Sequence, residues 1–465
     1  MTWARGAGAA RASLCVAALV AALSRCSPRV VDAVDLRAQD DGGATADAGA
    51  GLVWPNETST KNSDPWIAAH HDDIVEMHPR LIVLDFYDGT GAARPFDVSN
   101  VQDIAQQQID AIAEGSRYHG YSDPSAPAFL NYELVKVVDL TDHPAPAGWT
   151  HASSTLLPVD SSGAFDLSAL FSADFAHNYG EPDPADPSRD LALCDLFERG
   201  IINELWLAVA DAPPRQPGLF VESKQVYDDQ NRPVAQSFAS CTGYACYPGP
   251  PVPRCNVTVR IAHLDPRFEL GCDLIVRSIG IENMRLAIPY MQKNALDFID
   301  HDFDSRFGVP FASWEDLCDT STAQQQPPAT AQPGCVEYPS PSVAQGTYAD
   351  GGAWTIAPFV QGCGSAHFPA NARFKWDYVN TQPVQSRCEH YGMHDGPDGG
   401  DLPDLYRADK VTAYTQRYGD PDAGGSGGCG GGWQVYYRQN MPGLNNRAHA
   451  ADGSPMKNWW PFLFY

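Results

Sequence analysis

Three aspartates in this chain stand where short apolar stretches give way to polar ones: Asp85, Asp139 and Asp211. In an open α/β sheet, ligands bind beyond the carboxyl ends of the strands. If the three stretches are adjacent parallel strands, three carboxylates converge at one edge. Crowded carboxylates repel, so one keeps its proton for acid catalysis, or all share a divalent cation. The plainer reading is that each aspartate bonds its own turn.

Glu282 is a fourth candidate. On a helix over 272–288 it shares a face with Ile275, Ile279 and Leu286. A glutamate on an apolar stripe is either a tuned acid or base or half of a buried ion pair. Arg285 follows one turn later and favours the pair.

Histidines gather in small groups. His390 and His394 have the spacing of zinc ligands on a helix. Gly392 and Gly396 weaken that helix, and the string Asp395, Asp398, Asp401 is suited either to wrapping calcium or to forming a solvated acidic turn. A divalent cation, calcium or zinc, is thus the cofactor to look for, on His390, His394, Asp395 and Asp398. His263 continues an apolar strand face and reads as a packed residue. Gly424-Gly-Ser-Gly-Gly428 fits the GxSxG pattern of serine hydrolases, but it lies in low-complexity sequence with no strand before it.

These groups need elements to hold them. Residues 81–86, 134–140 and 201–209 read as strands, the first a continuous apolar run buried on both faces. Ser99 or Asn100 caps a helix between the first two, with Val101, Ile104, Ile109 and Ile112 on its stripe. A second helix covers 191–199. That alternation predicts an α/β fold with a mainly parallel sheet and flanking helices. Residues 256–264 add a strand, and 290–299 a helix after Pro289. Beyond 300 the pattern is irregular and aromatic, ending in Trp459-Trp460-Pro461-Phe462-Leu463-Phe464-Tyr465. Those aromatics either pack back as a last strand or form a contact face.

Composition sets the compartment. Residues 1–26 hold three arginines, no acid and an apolar run from Leu14 to Leu23, the make-up of a secretory signal. Leu23-Ser24-Arg25-Cys26 approximates a lipobox, so Cys26 is a candidate lipid anchor on an outer-membrane lipoprotein. Val31-Asp32-Ala33 offers ordinary cleavage and a soluble secreted or periplasmic form. No later stretch approaches the roughly 20 apolar residues of a transmembrane helix. Ten cysteines follow residue 26, an even number expected as disulfides in an oxidising compartment. Their spacing suggests the local pairs Cys318–Cys335 and Cys363–Cys388. A net charge of −26 repels nucleic acid, so the expected partner is an extracellular polymer or small molecule.

Three segments resemble a group of secreted proteins from high-GC bacteria with no established activity: Ile202-Asn-Glu-Leu-Trp206, Cys363-Gly-Ser-Ala-His-Phe-Pro-Ala-Asn-Ala372, and Asn458-Trp-Trp-Pro-Phe462. The resemblance implies a bacterial secreted protein and directs attention to His367 and Asn371. His367 is then a base, a ligand, or a residue that ties down the loop after Cys363. The expected division is a signal at 1–26, a flexible leader at 27–65, an α/β domain at 66–300 and a disulfide-rich region at 301–465 packed on it. The functional expectation is a hydrolase of extracellular glycan or peptide working through carboxylates at the sheet edge. Its competitor is a non-catalytic ligand-binding protein with an aromatic face.

Overall fold

The computed structural model describes residues 51–59, 64–87, 101–140, 156–209, 220–230, 232–242, 245–248, 255–264, 288–320, 335–348, 351–418 and 430–465. The signal segment with Cys26, Asp211 and Glu282 with its helix lie outside the described residues, as does the glycine-rich stretch 424–428.

Among the described residues, seven strands form the central sheet. They are β1 (Arg80–Asp85), β2 (Glu133–Asp139), β3 (Glu204–Ala208), β4 (Phe220–Tyr227), β5 (Pro233–Thr242), β6 (Ala245–Pro248) and β7 (Val259–Leu264). Their spatial order is β6-β5-β4-β7-β3-β1-β2. The half made of β7, β3, β1 and β2 is parallel, as the strand and helix alternation predicts. The other half is antiparallel, and here the expectation of a mainly parallel sheet is corrected. The reason is chain length: five residues separate β4 from β5 and two separate β5 from β6, enough for hairpins but far short of a crossover.

Side chains alternate across the sheet, so each apolar strand serves two cores. Leu81 and Val83 of β1 enter one, with Trp206, Ala208, Ala262 and Leu264. Ile82 and Leu84 enter the other, with Leu205, Leu207 and Ile261. Helix α1 (Val101–Gly115) connects β1 to β2 and covers the first face through Val101, Ile104, Ile109 and Ile112. Helix α2 (Leu193–Glu198) covers the second, tied by the Cys194–Cys255 disulfide.

Later segments complete the first core. Helix α3 (Pro289–Phe298) starts on Pro289, where a missing N–H costs nothing. Helix α5 (Gly431–Gln439) lies against α1, and Gly115 lets Arg438 approach: a Cβ there would sit 3.2 Å from its Nε. Gly430 caps α5 at φ 62°, and a Cβ on Gly432 would strike Thr415 at 2.3 Å. The aromatics 459–465 are buried in the same core, and Trp460–Phe464 coil as a 3₁₀ turn started by Pro461 rather than as a strand. They present no exposed face. A third core gathers Phe303, Phe311, Trp314, Tyr338, Trp354 and Phe359, and its helix α4 (Trp314–Thr320) is bridged by Cys318–Cys335. Both local disulfides read from spacing are present. No helix among the described residues is long and apolar enough to cross a membrane.

Candidate functional site

Asp85 and Asp139 are register partners at the carboxyl ends of β1 and β2, so the sheet does bring two of the three aspartates side by side. Asp85 Oδ1 accepts the Tyr87 N–H at 3.0 Å, the self-turn expected of an aspartate ending a strand. Asp139 is exposed.

The acidic loop after Cys388 bonds largely to itself. Asp395 accepts from the Leu402 N–H at 2.9 Å and pairs with His390 Nδ1 at 2.7 Å. Asp401 accepts the N–H groups of Gly392 and His394, and Asp398 that of Gly400. The His394 ring faces the Gly399 carbonyl. Among the described residues no group of three or more His, Cys, Asp or Glu side chains is arranged to hold a metal ion. His263 is buried, with Nε2 2.7 Å from the Val209 carbonyl. Asn371 donates to the carbonyls of Asn380 and Gln382, which fixes its loop.

His367 is placed differently. Cys363 is bridged to Cys388, and Gly364 follows at φ 71°, where a Cβ would strike the Phe368 carbonyl at 2.1 Å. Only glycine fits that turn. The turn delivers Ser365 and His367 to Glu315, in the first turn of α4, whose start is capped by Ser313 and Asp316 bonding reciprocally. One oxygen, Glu315 Oε1, accepts the Ser365 hydroxyl at 3.0 Å and lies 3.2 Å from His367 Nδ1.

Burial would raise the Glu315 carboxyl. The hydrogen bond and charge of His367, the Ser365 hydroxyl and the charge of Lys375 together bring it below its ordinary value instead. An ionised carboxylate only accepts, so His367 Nδ1 carries the proton of that bond. His367 is 3% exposed, whereas the Glu315 side chain is 37% exposed. Glu315 Oε2 makes no hydrogen bond among the described residues. Ser365 Oγ also accepts the N–H groups of His367 and Phe368, which occupies its lone pairs and makes it a positioning group rather than a nucleophile.

No family model, curated protein or solved structure matches the chain.

Glu315 and Ser365 line a pocket whose walls include Ile299, Phe303, Trp314 and Phe368. His301 lies on its rim, 3.5 Å from Asp316. Asp300, also in the lining, is committed to Arg306, Arg387 and the Gly362 N–H. Gln361 is another lining residue, 1% exposed, and its buried Oε1 has no hydrogen-bond partner among the described residues. Leaving such an oxygen unmatched costs about 1–3 kcal/mol.

A second buried polar group lies across the sheet. Glu204 on β3 accepts from Tyr132 at 2.6 Å, from Trp206 at 2.7 Å and from Arg260 at 3.3 Å. Arg260 also reaches Glu222 at 2.9 Å and the Leu463 carbonyl at 3.0 Å, beneath the Phe464 ring. Sequence reading singled out neither Glu315 nor Gln361, since each is a single polar residue in a short irregular segment. The detectable signal was the cysteine-glycine turn before Ser365 and His367.

Proposed function

We propose that this protein is a secreted hydrolase of extracellular peptide or glycan in which Glu315 is the acid–base group. The carrying observation is the division of labour on one carboxylate: Oε1 is fixed by Ser365 and His367, while Oε2 has no hydrogen-bond partner among the described residues and the residue lines a pocket. In the reaction, Glu315 takes a proton from water as the water oxygen bonds to the electrophilic carbon. The bond to the leaving group then breaks, and Glu315 returns the proton to that group. His367 keeps the carboxylate ionised before the first transfer and oriented through both. Three disulfides among the described residues, typical of exported proteins, support the compartment.

The test is turnover by the oxidised protein on a panel of chromogenic peptide amides and glycosides, alongside Glu315→Gln. The expected result is hydrolysis by the parent and a loss of about 10²–10⁴-fold in the variant. No turnover across the panel, or equal turnover by both proteins, overturns the reading.

A further inference from the structure

The cavity beside Glu315 has room for one water molecule, about 20 Å³. It can seat the water that the carboxylate would activate and nothing larger, so the body of a substrate has to rest on the neighbouring surface. Close to Glu315 stands Trp376, the one exposed aromatic ring among the described residues. Two residues link the pair. The His367 ring lies 6.1 Å from that of Trp376 and puts its Nδ1 3.2 Å from Glu315 Oε1. The Lys375 ammonium is 6.0 Å from the centre of the indole, and its charge also acts on Glu315.

Trp376 is displayed against the preference of its backbone. Its φ is 69°, whereas the other described non-glycine residues with positive φ are His119, Asp300, His394 and Asn445, types that visit this region more readily. The strain is held from both sides. The Trp376 N–H donates to the His367 carbonyl at 2.8 Å, and the Trp376 carbonyl accepts the Tyr378 N–H at 3.0 Å. Arg373 clamps Asp377, Asn371 and Asn380 each donate to the other's carbonyl, and the Tyr378 hydroxyl donates to the Ala366 carbonyl. An exposed side chain left by chance needs none of this. A strained residue that its surroundings over-determine points to function.

The occupant follows from the shape of the support. An aromatic or alkyl side chain gains most when all its faces leave water, which a single open indole does not provide. A pyranose has one apolar C–H face and a rim of hydroxyls that stay hydrated, so it matches a platform that is apolar on one side and wet on the other. The Glu315 carboxylate and the net charge of −26 disfavour anionic sugars. We propose that Trp376 is a stacking platform for a neutral pyranose ring of an extracellular glycan, which it holds beside Glu315. The inference rests on the hydrolase reading for the role of the bound ring, and within that reading it selects glycan over peptide. Binding to the platform does not itself require turnover.

Saturation-transfer NMR on the oxidised full chain tests it. The probes are four neutral hexasaccharides, of the cello, chito, xylo and manno series, with N-acetylphenylalaninamide as the peptide counterpart. At least one oligosaccharide binds, and more tightly than the amide. Trp376→Asn, whose new side chain tolerates the left-handed backbone, lowers that affinity about tenfold, and Trp376→Phe recovers part of it. An absence of oligosaccharide binding, or tighter binding of the amide, overturns the inference with the native protein alone. So does an affinity that Trp376→Asn leaves unchanged. Binding that depends on Trp376 without turnover of any glycoside sinks the hydrolase reading alone. Turnover with binding that ignores Trp376 sinks this inference alone.

Discussion

Two glutamates in this molecule are both held by hydrogen bonds, and they differ in what is left over. Glu204 is fully buried in the middle of the sheet, with both oxygens engaged by Tyr132, Trp206 and Arg260. Glu315 has one oxygen engaged and a side chain 37% exposed beside an apolar pocket. A fully matched buried charge resists change, and its removal leaves a countercharge stranded. A half-matched one has capacity for an incoming molecule. The difference separates a structural acid from a chemical one without reference to residue type, since both sit among aromatic rings and basic partners.

The comparison breaks most readily at Glu204. Glu204→Ala strands Arg260 in the core and is expected to cost about 3–5 kcal/mol in denaturant unfolding. A loss below about 1 kcal/mol would mean that Arg260 is satisfied by Glu222 and the Leu463 carbonyl alone, and the contrast would fail. Next comes Glu315→Gln, which keeps the shape and a hydrogen-bonding end at a partly exposed position. Its expected stability change is under about 1 kcal/mol, although it abolishes the proposed chemistry. A large stability loss would place Glu315 in the structural class with Glu204.

The smallest effect is on pH dependence. The folded-state carboxyl of Glu315 lies below its ordinary value of 4.5, so its contribution to stability is complete above pH 4.5 and disappears as pH falls through the lowered value. The acid limb of turnover should therefore lie below pH 4.5, and Lys375→Met should move it upward by removing a charge that holds the carboxyl down. A limb that stays in place in that variant would assign the titration to another group.

The parallel half of the fold was legible because its inner strands are buried on both faces and read as unbroken apolar runs, as in 81–84 and 205–209. The antiparallel half was not. β4 buries Glu222 and Lys224, whose charges break the apolar pattern, while Arg260 of the neighbouring β7 pairs with Glu222, which also lies 3.8 Å from Lys224. Gly430 and Gly432 looked like the tail of a low-complexity run, yet they start α5 and let it lie against Thr415. Of the site, His367 was noticed from its segment. Glu315 joins it only through tertiary folding, from a capped helix 52 positions away, and no local pattern encodes that meeting.

The two short disulfides lie close in sequence to pocket residues. Cys318 is one turn along α4 from Glu315, and Cys363 is two residues before Ser365. The fragments that assemble the carboxylate and its positioning groups are thus each fastened by a bond that forms only under oxidising conditions. With both cysteine pairs reduced, nothing covalent holds α4 or the Gly364 turn in place. In the proposed hydrolase, assembly of the site is therefore coupled to oxidation of these two cysteine pairs.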